Sequence, residues 1–173
     1  MAVRPSATIK TYENSFIEVV FNKKNIFKIF ENSEAVLDLD AQGKSIFLKT
    51  GAIANLIKKL DALQDRFRPR YKIATSVAVA GVRGTAFYVK VEDNKNTYIC
   101  VCNGEVEITN TTDSNKTLVA EKHHQAVRFT REKGKTVLST AKMLYHDDKG
   151  IEKLAETINE KIDWNKIGTT KNK

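Results

Sequence analysis

Every cysteine and histidine of the chain falls between positions 100 and 146: Cys100, Cys102, His123, His124 and His146. Cys-x-Cys on a strand projects two thiols to one side. A returning imidazole would complete a tetrahedral Cys/His set suited to zinc, or to a soft iron or copper ion. The spacing differs from the Cys-x-x-Cys knuckle of structural zinc sites. Asn103-Gly104, between two alternating runs, predicts a two-residue hairpin turn. That register pairs Cys102 with Glu105 and Cys100 with Glu107. It places Tyr98, Cys100, Cys102, Glu105 and Glu107 on one face, opposite Ile99, Val101, Val106 and Ile108. Two carboxylates beside the thiols call for water, a partner or a metal. Adjacent histidines on a strand point to opposite faces, so at most one of His123 and His124 is expected to join directly, with His146 as a spare ligand. The competing reading is a surface hairpin with two idle thiols and hydrogen-bonded histidines. A Cys100–Cys102 disulfide would strain so small a loop.

Other chemistry is sparse. Gly81-Val82-Arg83-Gly84-Thr85 has closely spaced glycines but neither the dinucleotide fingerprint nor the Lys-Ser/Thr ending of a phosphate loop. No Gly-x-Ser-x-Gly elbow accompanies the serines and histidines, so a catalytic triad is not expected. In the strand from 79 to 91, Arg83 and Thr85 interrupt an otherwise apolar face. Arg83 therefore needs a carboxylate or carbonyls, as a structural pair first and an anion contact second. Arg66, Arg68 and Arg70 share one face if extended, forming a basic stripe that reads either as a solvated face or as a contact for an anion or lipid headgroup.

Positioning these residues requires mostly strands. Runs at 16–21, 26–30, 36–39 and 45–49 alternate or are β-branched, separated by turn signals at 22–25, 31–33 and 41–43. Further strands are expected at 71–73, 76–82, 85–92, 97–102, 105–109, 117–120, 126–130 and 136–138. Between 52 and 63, Ile53, Leu56, Ile57, Leu60 and Leu63 follow helical spacing, which suggests a loop with a helical turn or two. Near the C-terminus Ile151, Leu154, Ala155, Ile158 and Ile162 form the apolar stripe of one amphipathic helix, with Asp147 or Asp148 able to cap it. Its polar face mixes Glu152, Glu156 and Glu160 with Lys153 and Lys161, which favours covering a sheet over lying on a membrane. The expected fold is mainly β, a roll or sandwich of short antiparallel strands with one C-terminal amphipathic helix. The β domain spans 14–131, a strand and helix follow over 132–166, and a disordered basic tail over 167–173.

The chain has 173 residues, 29 Lys and Arg against 21 Asp and Glu, and 41% hydrophobic residues. That length buries a core without needing disulfides or a structural metal. The net charge of +8 is spread along the sequence rather than gathered on one element, so nucleic acid is not the expected partner. No run approaches the roughly 20 apolar residues of a membrane span, and 16–21, broken by Glu18, does not read as a signal peptide. The expectation is a cytoplasmic chain, or one whose export segment has been removed.

The segment Val79-Ala80-Gly81-Val82-Arg83-Gly84-Thr85-Ala86-Phe87, followed by an alternating strand and Asn103-Gly104-Glu105-Val106-Glu107-Ile108, resembles the core of the FecR domain, over about residues 14–131 of this chain. The resemblance implies a β-rich roll, usually periplasmic or otherwise extracytoplasmic, in bacterial envelope proteins that relay signals to sigma factors. The sequence departs from that pattern: it carries no sigma-binding helical region and no membrane helix, and it adds Cys100, Cys102 and the His123-His124 pair. The expectation is a stand-alone, non-enzymatic envelope module for signal sensing or for ligand or metal binding. A zinc or iron ion is its candidate cofactor, with a link to metal-responsive regulation, and an envelope protein is its candidate partner. The alternatives are a metal- or thiol-dependent enzyme built on the Cys/His cluster and a structural envelope assembly protein.

Overall fold

The computed structural model describes Arg4 and residues 6–39, 44–58, 71–82 and 84–168. Among these residues the alternating runs form twelve strands: β1 (Ser6–Lys10), β2 (Ile17–Phe21), β3 (Asn25–Ile29), β4 (Glu34–Leu39), β5 (Lys44–Ile57), β6 (Tyr71–Ala74), β7 (Ala78–Val82), β8 (Thr85–Val91), β9 (Asn96–Asn110), β10 (Lys116–Glu121), β11 (Gln125–Glu132) and β12 (Lys135–Ala141). One helix follows, α1 (Asp148–Glu156), capped by the Asp147 carboxylate, which accepts from the Gly150 N–H. The mainly β expectation with a single C-terminal helix holds. Arg66, Arg68, Arg70 and Arg83, with residues 169–173 of the expected tail, lie outside the described residues.

Two long strands organise everything. The first half of β5 pairs with β4 and β6, and its second half with β3 and β8. The second half of β9 pairs with β7 and β10, and its first half with β8 and β11. Each strand thus passes from one sheet to the other. One sheet reads β1-β4-β5-β6-β7-β9-β10, the other β2-β3-β5-β8-β9-β11-β12; the β5–β6 pair alone is parallel among these ladders. Both crossings occur at glycine. At Gly51 (φ +84°) a Cβ would overlap Ser33, whose hydroxyl accepts from the Ala52 N–H at 3.0 Å. At Gly104 (φ +128°) a Cβ would stand 2.8 Å from the Gly84 carbonyl oxygen and 2.7 Å from Thr85 Oγ1.

This corrects the hairpin expectation. Asn103-Gly104 is no turn; the chain runs straight on, and the glycine admits the backbone of 84–85 at the crossing. The two-residue turn of this region is Lys133-Gly134, both at positive φ, with Glu132 opposite Lys135. Cys100 therefore lies opposite Ala126 and Tyr88, and Glu107 opposite Gly81 and Leu118. The suggested helical turns over 52–57 are strand as well; Leu60 and Leu63 lie outside the described residues.

Two apolar layers result. Phe27, Ile29, Leu37, Ile46, Ile53, Phe87, Ile99, Val101, Val106 and Ile108 fill the space between the sheets. On the outer side of the second sheet, Ile26, Ala52, Ala54, Leu56, Ala86, Tyr88, Cys100, Cys102 and Ala126 meet Ile151, Leu154, Ala155 and Ile158 of the C-terminal segment. The helix covers a sheet face, as its apolar stripe requires.

A candidate Cys2His2 metal centre

Cys100 and Cys102, two apart on β9, project to the outer side of the second sheet, and neither has any exposed surface. The exposed-hairpin reading of the thiols is thereby replaced: they lie between sheet and helix. β11 returns antiparallel to β9 with Gln125 opposite Val101, and the His124 N–H donates to the Cys102 carbonyl at 3.0 Å. His124 adopts φ +54°, a left-handed conformation that strand alternation does not describe. Its Nδ1 is 3.5 Å from Cys100 Sγ. From the other direction, between β12 and α1, His146 brings Nε2 to 3.3 Å from Cys102 Sγ. The four ligand atoms all lie within 4.8 Å of one another.

Hydrogen bonds fix which imidazole nitrogen carries the proton. The His146 Nδ1–H donates to the Leu144 carbonyl at 2.8 Å, since a carbonyl can only accept. Its Nε2 lone pair is thus turned to Cys102. The His124 Nε2–H donates to the Asp148 carboxylate at 2.8 Å, which leaves Nδ1 turned to Cys100. The rings are wedged in place: His146 stacks on Tyr88 at 4.5 Å between centroids, and His124 on Trp164 at 5.2 Å. This is the outer-shell arrangement that orients metal-ligating histidines.

The electrostatics agree with the geometry. The neighbouring Cys102 side chain, with His124 and His146, pulls the Cys100 thiol well below its ordinary range against the cost of burial. Burial and the neighbouring Cys100 sulfur push Cys102 up. Burial pulls His124 down, but Cys100 and Asp148 outweigh it and leave it raised. Burial likewise opposes ionisation of Asp148, yet His123 and His124 hold its carboxyl below the ordinary value.

Of the five expected metal ligands, four converge. His123 does not reach the thiols; its Nε2 lies 3.0 Å from Asp148, and its side chain is 50% exposed. One histidine of the adjacent pair, His124, lies against Cys100, and His146 lies against Cys102. Glu105 and Glu107 belong to the other sheet, Glu107 pairing with Lys116 at 3.0 Å. Their expected place beside the thiols is a correction that follows from the missing turn. Asp148 and Trp164 also pack on the cluster; the sequence identifies Asp148 only as a helix cap, and no local pattern ties either to β9. A cavity of about 380 Å³ lies beside the helix, lined by Lys28, Phe30, Tyr145, His146 and Ile151 among others; of the four ligands only His146 borders it.

The donor set passes a simple fit test. With Zn–S near 2.3 Å and Zn–N near 2.1 Å, a tetrahedral ion separates S from N by about 3.6 Å. The two sulfur–nitrogen contacts are 3.5 and 3.3 Å.

Comparison with known proteins places the fold. Two crystal structures of a "putative anti-sigma factor" from Parabacteroides distasonis align with TM-scores of 0.60 and 0.59 at 12% identity, covering 78% of this chain. This chain spans about three fifths of their length, 60% and 59%. No curated protein matches the sequence. The FecR protein family matches residues 7–107, more than half the sequence and the stretch that contains both crossing glycines and both thiols; the chain belongs to the FecR family.

Proposed function

We propose that this FecR-family chain is a non-enzymatic sensory module of the bacterial envelope. Its input is a thiophilic divalent ion, zinc first, held by Cys100, Cys102, His124 and His146. One observation carries the reading: two thiols and two imidazole lone pairs converge within 4.8 Å, with each imidazole held from behind by an acceptor. Zinc would supply cross-linking and charge neutralisation of the buried thiolates. Iron(II) binds such N and S donors more weakly than zinc in the divalent series, so it ranks second.

Asp148 holds a proton on His124 Nε2, the Leu144 carbonyl holds one on His146 Nδ1, and α1 with Trp164 excludes water from both sulfurs. Cys100, His124 and Asp148 have the connectivity of a nucleophile, base and orienting carboxylate. Catalysis is disfavoured because Cys100 is fully buried. Family membership and the description of the solved neighbours support an envelope location and a regulatory protein as the partner. Among the described residues no helix is long and apolar enough to cross a membrane.

The test is metal content of the purified chain beside a Cys100→Ser, Cys102→Ser double variant, with thiol titration on both and circular dichroism as a fold control. One zinc per wild-type chain, lost in a folded double variant, is expected. A wild type that holds no ion after zinc loading and desalting overturns the reading.

A further inference from the structure

We propose that the ion acts as a clasp, whose occupancy decides whether the segment 142–168 stays seated on the outer face of the second sheet. This rests on the metal reading above and adds what binding would control. The four ligands come from three places: β9, the turn before β11, and the connection from β12 to α1. Only His146 belongs to the C-terminal segment. Asp148, in the first turn of α1, grips His124 from the far side, and Trp164, beyond α1, stacks on the same ring. The segment is thus tied to the centre by one ligand and two supporting side chains.

The seat without an ion is shallow. α1 has nine residues, fewer than the roughly 12–15 that an isolated helix needs to be even marginal in water. It is helical because it is docked. Beside Ile26, Leu56 and Tyr88, four residues of the face beneath it are alanines, Ala52, Ala54, Ala86 and Ala126, which add little apolar area for the helix to cover. The polar contacts at the distal end are incomplete. Asn103 Nδ2 faces the Asp163 and Lys166 carbonyls at 3.2 and 2.8 Å, but its buried Oδ1 has no partner among the described residues. Glu160 bonds Lys58 through Oε1 while its buried Oε2 has none there. Unmatched buried acceptors weaken docking.

Backbone strain points the same way. Tyr145, immediately before His146, has φ +69°, and His124 has φ +54°. Bulky side chains take that conformation only when the surroundings hold them there. Tyr98 helps, donating to the Lys142 carbonyl and accepting from the Leu144 N–H. An ion bonded to His124 and His146 together would hold both strained residues at once. By linkage, an ion that gains a ligand when the segment is seated favours the seated state by the same factor. Release would uncover the alanine-rich face with Tyr88 and both thiols.

The experiment is hydrogen–deuterium exchange on the full chain, zinc-loaded and chelator-treated, with metal content measured on the same samples. Amides of 148–158 should exchange between about 5- and 150-fold more slowly in the zinc form, the usual span of such couplings, while β7 and the first half of β5 change little. A His146→Gln variant should retain weaker zinc binding and lose the effect on 148–158. Zinc bound with unchanged exchange of 148–158 overturns the clasp and leaves the metal centre standing. Undiminished protection in His146→Gln overturns it too, since the coupling would not run through that ligand. A wild type that takes up no zinc overturns the metal reading and the clasp with it.

Discussion

At the scale of single residues, Asp148 is where the proposed metal centre is most sharply tested. It bonds His124 at 2.8 Å and His123 at 3.0 Å, but only His124 has its other nitrogen at a sulfur. Asp148→Asn keeps the shape and loses the charge that orients and enriches the imidazole. It should weaken zinc binding about 10- to 100-fold, whereas His123→Ala should leave it within about twofold, because His123 makes no contact with the thiols. Competition against a chromophoric chelator reads both. Equal affinity for wild type and Asp148→Asn would mean that His124 is not held for a ligand's work. The Asp148 carboxyl is kept below its ordinary value of 3.8, so it remains ionised wherever thiolates can hold an ion. Loss of zinc on acidification then reflects protons taking the ligands.

At the scale of elements, the β12–α1 connection is pinned by a network away from the Cys/His cluster. Arg128 on β11 donates twice to Glu92, at 2.6 and 2.7 Å, and the Tyr145 hydroxyl donates to the same carboxylate at 2.6 Å. Arg128 is the chief cause holding the Glu92 carboxyl below its ordinary 4.5, against burial. A carboxyl depressed in the folded state contributes stability above its unfolded value and loses it as pH falls through the folded one. Glu92→Gln should therefore cost about 1–2 kcal/mol at neutral pH, with the gap to wild type closing as pH falls below the ordinary carboxyl value and through the depressed one. Melting temperatures of the two proteins across that range check it; a gap that does not narrow would show that charge is not what the network contributes. Because Tyr145 precedes His146, the same substitution loosens the loop that carries a ligand.

The molecule as a whole has two cores of unequal depth, and they should fail separately. Phe27 lies between the sheets with no exposed surface, against Phe21; Leu154 lies in the smaller outer layer. Phe27→Ala should cost about 3–5 kcal/mol and lower the melting of the entire chain, while Leu154→Ala should cost nearer 2 kcal/mol, confined to the outer layer. The chain's one tryptophan, Trp164, lies in the C-terminal segment. Its fluorescence should follow seating of that segment, while circular dichroism in the strand region follows the sheets. In chelator, Leu154→Ala should separate the two melting curves and Phe27→Ala should shift both together. Coincident curves in Leu154→Ala would mean one cooperative core.

Most strand positions, the terminal helix and the residue types of the Cys/His cluster were legible in the sequence, because each rests on local pattern: alternation of period two, a stripe of period three to four, and a short stretch holding every Cys and His. What local pattern misreads is decided by contacts between distant segments. Residues 52–57 are buried on both faces, with Ile53 and Ile57 toward the inner core and Ala52, Ala54 and Leu56 beneath the helix. Alternation vanishes there, and the run imitates a helix. Asn103-Gly104 carries the residues of a tight turn, but its glycine is needed because the backbone of 84–85 passes within contact distance, a neighbour eighteen residues or more away in sequence. The facing of Cys100 and Cys102 follows from that crossing, and the selection of His124 over His123 follows from a left-handed residue at the edge of β11. Residue type determines which atoms can bind a metal. Only the tertiary fold, by crossing β9 between two sheets and laying α1 over the result, decides which of those atoms meet.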